Sequence, residues 1–217
     1  MAYKTVEHLS NLKQKEKRLL DVCLSLIGLI VLSPFFLFTA ILVKFDSPKE
    51  KVIFTQTRAG KFEQPFQIYK FRSMRSDAIV SPKQSTIYDW ENGVPDDFVF
   101  KSISGDQPNV SKIGAFIRKF SLDELPQLWN VLRGEMSIVG PRPEILDITK
   151  CYSPSQKKRL AVQPGITGWA QVNGRSNMNH GQKMKLDYYY VEKFSMKLDL
   201  LIIFLTIKQV LIGKDAV

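Results

Sequence analysis

The stretch LLDVCLSLIGLIVLSPFFLFTAILV, residues 19–43, carries a single charge, Asp21. As one straight helix it would extend roughly 37 Å, enough to cross a hydrocarbon core of about 30 Å. Cleavable signal peptides have shorter apolar regions and a small-residue cleavage site, and neither feature is found here. A membrane segment is therefore expected, in preference to a fully buried helix of a soluble protein. Its flanks are basic on both sides, with KQKEKR before it and Lys44, Lys49 and Lys51 after it. The positive-inside rule consequently assigns no direction. Near the middle stand Ser33 and Pro34. Pro34 has no N–H for the Ile30 carbonyl, and the Ser33 hydroxyl can back-bond to the Leu29 carbonyl and assist a bend. Two readings stay open on these residues: an ordinary spanning helix that accommodates a proline, or a helix that breaks and returns.

The whole chain has 217 residues and a formal charge of +10, from 31 Lys and Arg against 21 Asp and Glu. That length suits one domain with an appendage. The charge favours an anionic partner: nucleic acid, an acidic membrane face or a phosphorylated small molecule. Cys23 and Cys151 lie far apart, one of them inside the apolar run, so a disulfide is not expected and a reducing compartment is. His8 and His180 form no His/Cys cluster, which argues against a structural zinc site.

Beyond Pro48 the pattern changes. Residues 52–57 and 66–71 read as two strands of a hairpin around Gly60 and Pro65. Residues 76–112 are polar and loop-like, with acids at Asp89, Glu91, Asp96 and Asp97. Helical pattern follows from Lys112 to Phe120 and again to Leu132, where Gly134 supplies a stop. SIVGPRPE is a short strand-like piece, and QPGITGWAQVNGR, with three glycines and a proline, reads as a turned loop. Residues 198–212 are apolar except for Asp199, Thr206, Lys208 and Gln209. Asp199, Thr206 and Gln209 fall on one narrow helical stripe, so this helix either packs in the core or lies at a membrane interface.

The chemistry concentrates in RKFSLDELPQLWNVLRGEMSIVGPRP, residues 118–143. Two adjacent carboxylates, Asp123 and Glu124, sit at an expected helix start. Ser121 and Glu124 fit a capping box, which would explain the pair without any chemistry. Pro126 complicates that fit: with Ser121 as cap it deletes an internal bond, whereas with Asp123 as cap it falls at the third position. In either case an acid at a positive helix end, its pKa depressed, suits a nucleophile. Arg118, Arg142 and Arg175 stand at turns or helix boundaries, and guanidinium forks match phosphate oxygens. A carboxylate attacking a diphosphate needs such cations and usually a divalent ion.

These motifs resemble the bacterial sugar transferase family, the monotopic polyprenol-phosphate phosphoglycosyl transferases. The resemblance runs along nearly the whole chain through KRLLDV, Ser33-Pro34, VIFTQTRAG, YKFRSM, SLDELPQLWNVLRGEMSIVGPRP, PGITGWAQVNGR and LDYYYVEKFSMKLDL. Ser73 and Glu135 are mild departures, and residues 76–112 match least. The resemblance implies a UDP-sugar donor bound with Mg²⁺ and a covalent phospho-sugar on Asp123. By the same resemblance UMP would be released and the phospho-sugar would pass to polyprenyl phosphate, the first membrane step of a surface glycan. It further implies Glu124 as metal ligand beside Asp123, or as base. Lys70, Arg72, Arg118, Arg142, Arg175 and Asp199 would contact phosphates or substrate, and Ser33-Pro34 would be the break of a re-entrant helix.

The expected architecture is α+β. Residues 1–45 would form a basic segment and a re-entrant membrane helix. Residues 46–217 would form a mainly helical cytoplasmic domain with a small β-hairpin and an interfacial C-terminal helix. The chain would sit on the inner leaflet of the bacterial cytoplasmic membrane, a homodimer being compatible with this. The rival readings are a nucleic-acid-binding protein, for which no reading motif is found, and an anchored scaffold whose acidic pair only caps a helix.

Overall fold

Two helices meet at the Ser-Pro step. The computed structural model describes residues 11–74, 90–99, 110–174 and 178–212. In it α1 (Asn11–Val31) and α2 (Ser33–Asp46) form a pair bent by 62°. The cause is local. Pro34 cannot serve the Ile30 carbonyl, and the Ser33 hydroxyl donates to that carbonyl at 2.7 Å. The expected partner was the Leu29 carbonyl; the proton goes instead to the acceptor the proline orphans. Among the described residues no single helix is long and apolar enough to cross a membrane, whereas the bent pair together reaches that length and apolarity.

Polarity along these helices is inverted. Asp21, Ser25 and Thr39 are buried, while Leu19, Ile27, Ile30, Val31, Leu37 and Phe45 are exposed. Asp21 is a fastening point, while Ser25 bonds within its own helix. Asp21 Oδ1 accepts from the Ser137 hydroxyl and from the Ile138 N–H, both at 2.9 Å. Three residues back, the Arg18 guanidinium donates to the Val131 and Leu132 carbonyls. Those carbonyls close α4 (Gln127–Arg133), which ends at Gly134 with φ 79°. Arg18 thereby satisfies acceptors that a helix end leaves open.

The hairpin forms as expected and runs slightly longer: β1 (Ile53–Ala59) pairs antiparallel with β2 (Pro65–Phe71). Phe66 and Ile68 pack on Val131 and Met136. The Asn130 carboxamide accepts from the Tyr69 N–H and donates to the Gln67 carbonyl, so it imitates a neighbouring strand. The first expected helix is α3 (Lys112–Lys119), capped by the Ser111 hydroxyl.

A second strand pair was not anticipated. β3 (Ser137–Val139) and β4 (Gly165–Thr167) run parallel, with the short α5 (Leu146–Lys150) between them in sequence. QPGITGWAQVNGR thus contains a strand and the one-turn α6 (Trp169–Asn173) as well as its turns. Helix α7 (His180–Lys193) was not read from the sequence, and α8 (Met196–Ile212) was. The α8 stripe faces inward: Asp199 binds Lys17, Thr206 meets the Thr167 hydroxyl at 2.7 Å, and Gln209 donates to the Val172 carbonyl. Leu200, Phe204, Ile207, Leu211 and Ile212 lie exposed on the opposite side. Mainly helical with a small antiparallel hairpin, the architecture agrees with the expected class. Much of the 76–112 stretch, Asp89 included, lies outside the described residues. Its described part supports α7, the Phe98 and Asp96 carbonyls accepting from the His180 and Gly181 N–H groups. Both cysteines are free.

Candidate active site

Ser121 adopts the left-handed conformation, φ 54° and ψ 23°, and ends α3 by a reversal. Leu122–Glu124 then make a single 3-10 turn, and Pro126 immediately precedes α4. Neither cap drawn from the sequence forms. The Ser121 side chain makes no capping bond, and Pro126 sits where its missing N–H interrupts no helical ladder. The acidic pair is therefore not occupied in capping.

Glu124 reaches across to two cations. Its Oε1 accepts from Lys70 Nζ of β2 and from Arg142 Nη2, each at 2.8 Å. Burial opposes its ionisation, but the charges of Arg142 and Lys70 outweigh burial and hold the carboxyl well below the usual range. Asp123 behaves differently. Burial first, then the adjacent Glu124 charge, push it up to about 6 against Lys70, Arg142 and Arg118. The depressed value expected for Asp123 is thus found on Glu124 instead, because Glu124 takes the direct ion pairs. Among the described residues the Asp123 carboxylate has no hydrogen-bond or ion-pair partner. Arg118, in the last turn of α3, lies within electrostatic reach of it.

Arg142 is mounted on a tightly stacked backbone. The Gly140 N–H donates to the Thr167 carbonyl at 2.8 Å and the Gly165 N–H to the Pro141 carbonyl at 2.9 Å. A Cβ at Gly165 would stand 2.0 Å from the Gly140 nitrogen, so only glycine permits this approach. From behind, the fully buried Arg159 donates to the Arg142 carbonyl at 2.9 Å and pairs with Asp187 at 2.7 Å. Glu144, two residues beyond Arg142, binds Lys183 at 2.7 Å. Arg159, Asp187, Glu144 and Lys183 went unassigned in the sequence. The available signal was a charge set against apolar or aromatic neighbours, as in RLAV and LDYYY.

Asp123, Glu124, Lys70, Arg118 and Arg142 are thus brought together. Arg72 points elsewhere, pairing with Glu50 at 2.9 Å and donating to the Lys51 carbonyl. Asp199 belongs to another constellation: its fully buried carboxylate binds Lys17 at 2.7 Å and accepts from the Tyr190 hydroxyl at 2.8 Å. Arg175 lies outside the described residues. Ser33 and Pro34 stand at the helix break.

The described residues contain no group of three or more His, Cys, Asp or Glu able to enclose a metal ion. Asp123 and the second oxygen of Glu124 nevertheless offer hard oxygen donors without protein partners. Two such carboxylates fit an ion like Mg²⁺, which completes its shell with water and substrate phosphate.

The acidic pair ringed by cations shares the chain with a bent apolar helix pair. The chain belongs to the bacterial sugar transferase family, whose model matches residues 12–213. It is 41% identical over 201 residues to the galactosyl transferase CpsE of Streptococcus agalactiae, an alignment covering 92% of this chain and 43% of that protein. It is 40% identical to the sugar transferase EpsL of Bacillus subtilis, covering 91% and 88%. To a UDP-N-acetylgalactosamine-undecaprenyl-phosphate N-acetylgalactosaminephosphotransferase of Aeromonas hydrophila it is 39% identical, covering 92% and 44%. The chain therefore spans less than half of CpsE and of the Aeromonas protein, and most of EpsL.

Proposed function

We propose that this chain transfers a phospho-sugar from a UDP-sugar to polyprenyl phosphate, undecaprenyl phosphate in particular, releasing UMP. The observation that carries the reading is the asymmetry of the acidic pair. Glu124 is held by Lys70 and Arg142, whereas Asp123 beside it keeps its oxygens free. A free carboxylate among cations suits attack on a phosphate, and its second oxygen can serve a divalent ion.

An Asp123 oxygen attacks the phosphorus that bears the sugar, and the P–O bond to UMP breaks with its electron pair leaving on UMP. A phosphate oxygen of the polyprenyl phosphate then attacks the same phosphorus, and Asp123 leaves as a carboxylate. Lys70, Arg118 and Arg142 balance the phosphate charge, and Arg175 contacts the nucleotide. Asp123 and Glu124 would hold Mg²⁺, which when bound neutralises charge on the diphosphate. Asp199 acts through Lys17, as the anchor that joins α1 to α8.

The bent pair and its inverted polarity support a re-entrant placement. Each apolar arm is about 20 Å long. Set symmetrically about the membrane normal at the 62° bend, the tip sinks only roughly 10 Å, well short of a core of about 30 Å. Both arms then end on the cytoplasmic face of the inner leaflet, and α8 lies in the interface with its exposed apolar side down. An active site held there meets a soluble donor and a headgroup-level acceptor together.

The test is intact-mass spectrometry of purified protein incubated with a panel of UDP-sugars and no acceptor. One donor should leave a sugar-phosphate adduct and an equivalent of UMP, and Asp123→Asn should leave neither. An Asn variant that still acquires the adduct would overturn the assignment of the nucleophile.

A further inference from the structure

The hairpin carries a guanidinium that the reaction above leaves unused. Arg58 stands opposite Phe66, Gln56 opposite Ile68 and Phe54 opposite Lys70. Opposed residues of an antiparallel pair share a face, and so do alternate residues along each strand. Arg58 and Gln56 therefore project from the same face as Lys70, the residue that reaches Glu124. The end of β1 also abuts the segment just beyond Arg142. The Ala59 N–H donates to the Glu144 carbonyl at 2.9 Å, and Arg58 bridges to Ile145.

The guanidinium itself is only partly satisfied. Its Nη2 donates to Gln56 Oε1 at 2.6 Å, while its Nε is buried with no hydrogen-bond partner among the described residues. Burial lowers its hold on the proton, Glu144 opposes that shift, and the like charge of Arg142 adds to it. Glu144 is already committed to Lys183. A buried N–H donor beside a second guanidinium calls for an anion from outside.

We propose that Arg58 binds the departing phosphate of the nucleotide donor, on the side of Arg142 away from Asp123. The order of charges supports this placement. Asp123 responds to Lys70, Arg142 and Arg118, whereas Arg58 responds to Arg142 and Glu144. Arg142 is common to both, so a diphosphate seated on it offers one phosphorus to Asp123 and the other to Arg58. Gln56 is the positioning residue that aims the fork. This inference rests on the phosphoryl-transfer reading above.

The experiment measures UMP release and its product inhibition for wild type, Arg58→Lys, Arg58→Ala and Gln56→Ala, with polyprenyl phosphate varied separately. Both Arg58 variants should raise the donor KM and weaken UMP inhibition by roughly tenfold or more, because Lys replaces a fork by a point charge. The KM for polyprenyl phosphate and the melting temperature should hold. Gln56→Ala should shift the same two constants by less. Should Arg58→Ala fail to fold, Arg58→Lys and Gln56→Ala carry the test. Unchanged UMP inhibition in folded Arg58→Lys would overturn the proposal, as would a defect confined to the polyprenyl phosphate step. Wild-type protein releasing no UMP from any donor would instead overturn the reaction itself.

Discussion

The hydroxyl of Ser33 donates to the carbonyl of Ile30, the acceptor that Pro34 leaves without its helical partner. Restoring an N–H at position 34 removes the need for that bond and for the bend. Pro34→Leu should let α1 and α2 merge into a straight helix long enough to cross. Cysteine labelling from each side of the membrane is then expected to find the C-terminal domain partly relocated, and unchanged labelling would count against the bend as its determinant. Ser33→Ala should keep the bend and lose about 1 kcal/mol of stability.

Lys17 and Asp199 join the start of α1 to α8 through a buried ion pair at 2.7 Å. Lys17→Met strands a carboxylate that burial already pushes above its usual range, despite the relief that Lys17 provides. The expected cost is about 3 kcal/mol, or roughly 5–10 °C in melting temperature measured in lipid nanodiscs. Pairing it with Asp199→Leu should recover much of the loss, since removing both charges leaves nothing stranded.

Lys70 and Arg142 share one oxygen of Glu124 at equal distances. Arg142→Lys preserves the charge but loses the planar fork, and UMP release should fall by roughly ten- to a thousandfold. Lys70→Met should do comparable damage. Circular dichroism should find both variants folded, and a near-wild-type rate in either would remove that residue from the phosphate-holding set.

Acid should destabilise the support behind Arg142. Burial raises the Glu144 pKa, but Lys183 and Arg159 outweigh it and bring it to about 2. Its unfolded value is near 4.3, so its stabilisation is complete above that pH and is lost as pH falls toward the folded value. His180, lowered to about 4 chiefly by burial, works in the same direction between its unfolded value near 6.5 and 4. Melting temperature should therefore fall between about pH 6.5 and pH 4 through His180, and further toward pH 2 through Glu144. Glu144→Gln should flatten the part of that curve between about pH 4.3 and pH 2, removing on the order of 3 kcal/mol of pH-dependent stability.

The hairpin, the Gly134 stop and the polar stripe of α8 were legible because each rests on local periodicity or on one residue's backbone preference. The capping box at Ser121 misled because a tertiary demand prevailed: Lys70 and Arg142 draw Glu124 away from the turn. Helix α7 carried a usable signal, since Asn179 and Gln182 do form a capping box, but its mixed polar and tyrosine-rich surface blurs the period. Arg159 and Asp187 meet only through the fold, and nothing local to either announces the other. The same holds for β3 and β4, whose three-residue strands are too short to display alternation.

The stacked glycines under Arg142 have a consequence for how substitutions are tolerated. A Cβ at Gly140, Gly165 or Gly168 would press on main-chain atoms at 2.0–2.3 Å, and main chain cannot rotate aside as a flexible side chain can. A saturation scan should accordingly find these three positions as intolerant as the acidic pair itself, though none supplies a functional group. Their failure would have a distinct signature: protein that melts well below the wild-type temperature as the backbone around β3 and β4 is forced apart, whereas substitutions in the acidic pair would silence the site and keep the fold.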